Sequence, residues 1–171
     1  SLPFIEKAAA SGVVISIGHT GASRERVREA IAAGAKLSTH LGNGAHAQLP
    51  RHDNYIWEQL AADELWAGLV PDGHHLPQPV LQSFYRAKGR DRICLVSDVA
   101  PIVGLPPGVY DRIYGDYMVE IHESGKISLA GTPYLAGAAL FLDSGIPNAA
   151  AMTDATIEDA VAMATVNPAR L

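Results

Sequence analysis

The sequence contains little cysteine, little charge and no basic patch, and each shortage excludes a class of protein. Cys94 is the single cysteine among 171 residues, so no internal disulfide can form, and we expect a reducing, cytoplasmic compartment. The 13 Lys and Arg are outnumbered by 18 Asp and Glu, which gives a formal net charge of -5. Nucleic-acid binders normally present a basic face, so we expect no nucleic-acid partner.

The sequence also lacks the long apolar runs of a membrane protein. No stretch approaches the ~20 consecutive apolar residues of a membrane-spanning helix. Residues 1–7 show neither the basic start nor the apolar stretch of a signal peptide. Apolar residues nevertheless make up 48% of the chain, which is enough for a sizeable core. We therefore expect a globular protein with no membrane partner.

Four short apolar runs predict strands, and the segments between them predict helices. Three of the runs are rich in Val, Ile or Leu, as in strands that are covered on both faces of a sheet, and the run over 35–39 is the exception. The predicted strands are 13–17, 35–39, 65–70 and 92–97, and the predicted helices are 1–10, 24–33, 55–62 and 79–88. Alternating strands and helices at this spacing indicate β/α units and a parallel sheet.

The pattern changes after residue 100. Residues 101–116 are rich in Pro and Gly and predict a loop, and the alternating runs 117–122 and 126–129 predict a β-hairpin. Two helices are predicted over 137–149 and 157–165. We expect Asn167-Pro168 to end the last of them.

Each predicted strand is followed by residues that bind metals or carry protons. They are His19, His40, the segment Asp72-Gly73-His74-His75, and Asp98. In parallel β/α folds the reactive groups lie at the carboxyl ends of the strands, where the loops converge. Two imidazoles from neighbouring strands suit a divalent transition ion such as zinc. We therefore predict His19 and His40 as metal ligands and Asp98 as the proton carrier.

Structural roles stay open for several polar residues. Asp98 could be a helix N-cap because the chain turns just after it, and Arg51 could be a solvated surface arginine. His74 and His75 compete for one inward-facing role. Three further histidines do not follow a predicted strand, and we interpret them as loop or surface residues: His46, His52 and His122.

Several short motifs match one enzyme family in order and spacing. They are Gly18-His19-Thr20, Thr39-His40-Leu41-Gly42-Asn43, Asp72-Gly73-His74-His75, Tyr85-Arg86-Ala87-Lys88-Gly89, Leu95-Val96-Ser97-Asp98, Leu135-Ala136-Gly137 and Asn167-Pro168-Ala169-Arg170. In these motifs the chain resembles the N-acetylglucosamine-6-phosphate deacetylases of the amidohydrolase superfamily. The resemblance implies metal-dependent hydrolysis of an acetamide, which releases acetate and an amino sugar.

The resemblance also implies a fold class. It is an α/β fold, the second half of a (β/α)8 barrel with about four parallel β/α units, followed by part of a small β-domain and C-terminal helices. We expect the half-barrel over residues 1–100. The loop and hairpin of the small β-domain follow over 101–135, and helices that return to the barrel occupy 136–171.

Site residues are implied position by position. His19 and His40 match the family's histidine ligands, Asp98 matches its general acid/base, and His75 matches the histidine that holds and polarises the substrate amide. The remaining matches are substrate-binding: Asn43 and Gly44 against the sugar phosphate, Arg51 as a phosphate-binding arginine, and Leu135, Ala136 and Gly137 as a lining loop. We expect a zinc ion, with iron or another transition metal as the alternative, an amino-sugar substrate and a homodimer.

Four departures from the family pattern leave other functions open. The family reads Leu-Phe-Asn-Ala-Met at 41–45, where this chain has Leu-Gly-Asn-Gly-Ala, and the segment 48–54 is atypical. A wider pocket would suit an unphosphorylated N-acyl sugar or a cyclic amide. Ala138 stands where the family often has a hydroxyl residue. The family's glutamate ligand comes from an earlier strand that is not among these residues, so a non-catalytic half-barrel is the third possibility.

Overall fold

The computed structural model describes the backbone of residues 1–171 and the side chains of residues 1–111 and 115–171. One of its two sheets has four strands in the order β1-β2-β3-β4, and all neighbouring strands are parallel. These strands are β1 (Ile15–Ile17), β2 (Ala35–Ser38), β3 (Trp66–Leu69) and β4 (Ile93–Leu95). The four predicted strands and their parallel arrangement are confirmed.

Helices alternate with these strands, as predicted. They are α1 (Leu2–Ala10), α2 (Arg24–Ala32), α3 (Tyr55–Ala61) and α4 (Gln78–Lys88), and a short 3-10 turn follows at Arg90–Arg92. The Ser23 hydroxyl caps α2 by accepting a hydrogen bond from the Arg26 N–H, and the Asn54 side chain caps α3. Gly89 follows α4 with φ +69°, a conformation that favours glycine. Side-chain caps and a glycine stop therefore fix these helix ends.

The main core packs the parallel sheet against its helices. Leu69 on β3 and Ile93 on β4 are at most 1% exposed. They cluster with Leu81, Ala160 and Met163 from the helices. Burying such side chains contributes roughly 1.5–3 kcal/mol each. Cys94 on β4 is also buried, which raises the pKa of its thiol to about 11. Buried in this way, Cys94 packs as a small hydrophobic side chain.

A second, antiparallel sheet follows the parallel one. It consists of β5 (Gly108–Tyr114), β6 (Tyr117–Ile121) and β7 (Ile127–Leu129). The hairpin of β6 and β7 confirms the prediction, but the predicted loop over 101–116 is wrong in its second half. Pairing with β6 turns residues 108–114 into a strand, although prolines and glycines crowd the preceding segment.

The C-terminal helices are α5 (Leu142–Met152), α6 (Ile157–Ala164) and α7 (Val166–Arg170). The prediction that Asn167-Pro168 ends the last helix is wrong, because both residues lie in the first turn of α7. Proline is tolerated there since the first N–H groups of a helix have no partner within the helix. The buried Asn167 amide donates hydrogen bonds to the carbonyls of Arg90 and Ile93, at 2.6 and 2.7 Å. It ties α7 to the start of β4.

No helix in the described part of the chain has both the length and the apolar character needed to cross a membrane. The boundaries proposed at residues 100 and 135 stay a prediction.

Lys88 connects α4 to the turn before β3 from a buried position. The residue is 7% exposed, and its ammonium group donates hydrogen bonds to the carbonyls of Ala62 and Leu65, both at 2.7 Å. Burial lowers the pKa of Lys88 to about 8 from its ordinary 10.5, and the neighbouring charges are Asp63, Arg92 and Glu64. The folded protein therefore releases this proton more readily than the unfolded chain does.

We expect Lys88 to make the protein more stable as the pH rises from about 8 to 10.5. In that window the unfolded chain still binds the Lys88 proton and the native state does not, so the free energy of unfolding increases with pH. Urea unfolding of the wild type and of Lys88→Met across this window measures the contribution. Subtracting the free energy of unfolding of Lys88→Met from that of the wild type at each pH removes the contributions of the groups that both proteins share. If this difference does not vary with pH, Lys88 does not make the expected contribution.

Candidate active site

The predicted site residues lie at the carboxyl edge of the parallel sheet. His19 follows β1, His40 follows β2, Asp72 follows β3 and Asp98 follows β4, each within three residues of the strand end. Backbone hydrogen bonds continue the ladder beyond the strands, from the Thr39 N–H to the Ile17 carbonyl, from Leu41 to Gly68 and from Val96 to Leu69. The parallel order of the strands therefore gathers these side chains along one edge.

Three of these residues also have strained backbone. Among the described residues, the positive φ angles outside glycine belong to His19 (+46°), His40 (+28°) and Asp98 (+50°). Such angles cost of order 1–3 kcal/mol each and persist where the surrounding structure enforces them, often at functional sites. This independent signal selects the same three residues that the strand-end pattern selected.

His19 and His40 direct their rings at one point. Their Nε2 atoms lie 2.9 Å apart, with ring centroids 4.7 Å apart and an edge-to-face angle of 81°. Two imidazole nitrogens converging in this way suit a transition ion, which takes neutral histidine as a ligand. Among the described side chains no group of three or more His, Cys, Asp or Glu is placed to hold a metal ion. The pair therefore fits two positions of a metal site that needs a further ligand.

The His40 ring carries a second sign of an incomplete site. His40 is 8% exposed, and its Nδ1 atom is buried without a hydrogen-bond partner in the described part of the chain. Metal-binding histidines usually donate the proton on their other nitrogen to an acceptor, which fixes the ring. A hydrogen-bond acceptor for Nδ1 would fix the orientation of the His40 ring in the same way.

Asp98 lies at the end of β4 with its side chain 39% exposed. The residues just after it form turns rather than a helix, so the N-cap alternative for Asp98 is wrong. Its backbone carbonyl accepts a hydrogen bond of 2.7 Å from the Ala138 N–H. Gly137 sits so close that a Cβ on it would lie 3.1 Å from the same carbonyl. The predicted lining loop Leu135-Ala136-Gly137 is thus joined directly to the Asp98 strand end.

His75, rather than His74, takes the inward-facing role. Its Nε2 lies 3.8 Å from Asp98 Oδ2, and its Nδ1 lies 2.7 Å from Asp72 Oδ2. The side chains of Asp72 and His75 are each 4% exposed. Asp72 belongs to the Asp72-Gly73-His74-His75 motif, but no role was predicted for it. Its position three residues before His75, directly after a strand, was the signal available.

Asn43 and Gly44 lie against the two histidines. The Asn43 backbone N–H and side-chain amide both donate to the His40 carbonyl, at 2.9 and 3.2 Å. Gly44 has φ +59°, and a Cβ there would lie 2.6 Å from His19 Nδ1. The loop therefore packs directly on the His19 ring, where the family has alanine. A small cavity beside His19 is lined by both Asn43 and Gly44.

Arg51 does not join this group within the chain. It is exposed and lines a groove of about 910 Å³ between α3 and α4, together with Trp57, Val80 and Phe84. None of the predicted metal ligands lines that groove. The structure thus places two groups along one sheet edge, His19 and His40 with Asn43 and Gly44, and His75 with Asp98 and the 135–137 loop, and it leaves Arg51 elsewhere.

None of the three histidines interpreted as loop or surface residues directly follows a strand of the parallel sheet. His46 and His52 are exposed in the loop before α3, and the His46 ring is 2.9 Å from the Tyr55 hydroxyl. His122, at the end of β6, contacts the buried Ser128 hydroxyl at 2.7 Å. Each contact satisfies a local polar group of a loop or a hairpin.

Comparison with known proteins extends the resemblance seen in the motifs. The chain is 34% identical over 166 residues to an N-acetylglucosamine-6-phosphate deacetylase of Lysinibacillus sphaericus, covering 97% of this chain. It is 32% identical over 165 residues to an N-acetylgalactosamine-6-phosphate deacetylase of a Shewanella species, covering 96%. These matches span 42% and 41% of the two relatives, so the chain corresponds to about two fifths of their length. No family model matches the chain.

Solved structures give the same result. The crystal structure of N-acetylglucosamine-6-phosphate deacetylase from Thermotoga maritima superposes with a TM-score of 0.88 and 26% identity, covering 99% of this chain and 46% of that one. A variant of the Mycobacterium smegmatis enzyme, solved in complex with N-acetyl-D-glucosamine-6-phosphate, gives 0.86 and 28%, covering 99% and 45%. The predicted fold is confirmed: four parallel β/α units and an antiparallel sheet that match the C-terminal part of a deacetylase barrel.

Proposed function

Because the chain matches N-acetylglucosamine-6-phosphate deacetylases over nearly its whole length, we propose that its protein hydrolyses the acetamide of N-acetylglucosamine-6-phosphate. The products are glucosamine-6-phosphate and acetate, in amino-sugar catabolism. The observation that carries the proposal is the convergence of His19 and His40 at one sheet edge, beside His75 and Asp98. A non-catalytic half-barrel gives no reason for three strained backbone positions at that edge.

His19 and His40 would hold a divalent ion, zinc in our proposal, together with a further ligand. When bound, such an ion polarises the amide carbonyl and makes a water molecule more acidic. His75 hydrogen-bonds the amide and holds it toward Asp98. The Asp98 carboxylate takes the proton from the attacking water and delivers it to the sugar nitrogen as the C–N bond breaks. The amine leaves with that proton, and the acyl carbon keeps the water oxygen as acetate.

The phosphate of the substrate would meet Asn43 and Gly44, whose loop packs on the His19 ring. Arg51 is our proposed phosphate-binding arginine, yet it lines the groove between α3 and α4 instead of this loop. We propose that a second copy of the chain presents its own Arg51 to this site in the predicted homodimer. Analytical ultracentrifugation of the wild type and of Trp57→Glu, which places a charge in that groove, tests this arrangement.

N-acetylgalactosamine-6-phosphate is the second candidate substrate. Two of the similar proteins, from the Shewanella species and from Escherichia coli, are N-acetylgalactosamine-6-phosphate deacetylases, at 32% and 30% identity. These identities are close to those of the glucosamine enzymes, so overall similarity does not separate the two sugars. The unphosphorylated sugar is a third candidate, because Gly42 and Gly44 replace larger residues of the family.

Turnover of three sugars by the full-length protein tests the proposal. We expect acetate release from N-acetylglucosamine-6-phosphate, a lower kcat/KM for the galactosamine epimer, and the lowest for unphosphorylated N-acetylglucosamine. Equal rates with and without the phosphate would favour the unphosphorylated N-acyl sugar. No acetate from any sugar, with zinc present, would overturn the deacetylase assignment. A cytoplasmic location is also part of the proposal, and the lone buried Cys94 supports it.

A further inference from the structure

Asp72 is a buried carboxylate whose two oxygens are both engaged. Its Oδ1 accepts hydrogen bonds from the backbone N–H groups of His74 and His75, at 2.9 and 2.8 Å. Its Oδ2 lies 2.7 Å from His75 Nδ1. The side chain thus holds the turn after β3 and the His75 ring at once.

The charge on Asp72 determines which nitrogen of His75 carries a proton. Burial raises the pKa of Asp72, but hydrogen bonds from the His75 ring and from the backbone of His75 and His74 outweigh it, and the pKa lies below its usual value. Asp72 is therefore ionised at neutral pH and can only accept hydrogen bonds. The His75 proton must then be on Nδ1, which leaves Nε2 directed at Asp98 from 3.8 Å.

We propose that Asp72 is a positioning residue that fixes both the orientation and the Nδ1 proton of His75. The inference rests on the proposed function, in which His75 Nε2 meets the substrate amide. With Nδ1 committed to Asp72, Nε2 accepts a hydrogen bond when the ring is neutral and donates one when the ring is charged.

Asp72→Asn separates this role from a merely structural one. The asparagine Oδ1 still accepts from the two backbone N–H groups, so the turn is kept. Its NH2 group then faces His75 Nδ1 and can only donate, which makes Nδ1 an acceptor and moves the proton to Nε2. The variant therefore changes the proton on the ring without removing the hydrogen bonds of the turn.

The test that needs no activity is 15N NMR of the histidine rings in the 171-residue chain, with the His75 signals assigned by His75→Gln. We expect the proton on Nδ1 in the wild type and on Nε2 in Asp72→Asn. Asp116→Asn, an exposed carboxylate in the turn between β5 and β6, is the matched control and should leave the pattern unchanged. A wild-type ring protonated on Nε2 would overturn the proposal even if Asp72→Asn fails to fold.

Kinetics of the full-length protein give the second readout. Removing the partner of a metal-binding histidine costs about 10–100-fold. We apply the same range to His75 and expect kcat to fall by that factor in Asp72→Asn, with a smaller change in KM. An unchanged kcat would also overturn the role of Asp72. If the wild type releases no acetate, the proposed function fails, and the NMR result still decides whether Asp72 positions His75.

Discussion

Replacing Asp98 with asparagine lowers kcat for N-acetylglucosamine-6-phosphate by about 10²–10⁴-fold, the range that a positioned general acid/base contributes. Asparagine matches the aspartate in shape but cannot take the proton from water or return it to the amine. The backbone at position 98 has φ +50°, which asparagine accepts readily. The loss should therefore come from chemistry rather than from a shifted strand end.

The Asp98→Asn variant should keep its fold and its affinity for metal. Circular dichroism melting and a zinc titration check both, and acetate release at saturating substrate gives kcat. Asp116→Asn serves again as the exposed control and should retain wild-type turnover. If Asp98→Asn turns over at the wild-type rate, then Asp98 is not the proton carrier.

Zinc raises the stability of the 171-residue chain, and removing either histidine of the pair abolishes that effect. Ligand at one hundred times its Kd stabilises a protein by about 2.7 kcal/mol, provided that the unfolded chain does not bind it. Loss of a metal ligand should weaken zinc binding by more than the ~10–100-fold that is typical when a residue hydrogen-bonded to a ligand is lost. We therefore expect His19→Ala to raise the Kd for zinc by more than ~100-fold. His40→Ala should do the same.

His19→Ala is the cleaner of the two variants because His19 is exposed, whereas His40 is buried. Isothermal titration gives the Kd, and thermal melts with and without zinc give the stabilisation. His52→Ala removes an exposed loop histidine and is the matched control. Equal zinc affinity in wild type, His19→Ala and His52→Ala would show that the pair does not bind the ion. With His19 and His40 alone as ligands, the absolute affinity should be weaker than at a complete site.

In the parallel half of the fold, β3 and β4 were predictable because these two strands are apolar on both faces. Ile93-Cys94-Leu95 and Leu65 to Val70 stand out as apolar runs, whichever face of the sheet is considered. β5 was missed although it pairs with β6 across the short turn Gly115-Asp116. The Pro and Gly residues before position 108 dominate the local pattern there. The helix over 166–170 was missed because proline in a first turn resembles proline that ends a helix.

The same contrast holds for the site. His19, His40 and Asp98 were predictable because a residue directly after a parallel strand lies at the sheet's carboxyl edge, whatever the rest of the fold. The choice of His75 over His74 depended on the Asp72 hydrogen bonds, and those arise from the shape of one turn. Arg51 lies in a loop after β2 with no strand to fix it, so spacing could not determine which cavity it faces.

The positive φ angles of His19, His40 and Asp98 have a consequence for engineering. Glycine adopts such angles without steric cost, so the folded chain bears a strain at these positions that glycine would relieve. A directed-evolution screen that rewards heat resistance alone would then tend to enrich glycine at position 98, where a partly exposed side chain contributes little packing. The resulting proteins would be more thermostable but would lack the Asp98 carboxylate and its activity. Selections on this scaffold therefore need a growth requirement for the product as well as a heating step.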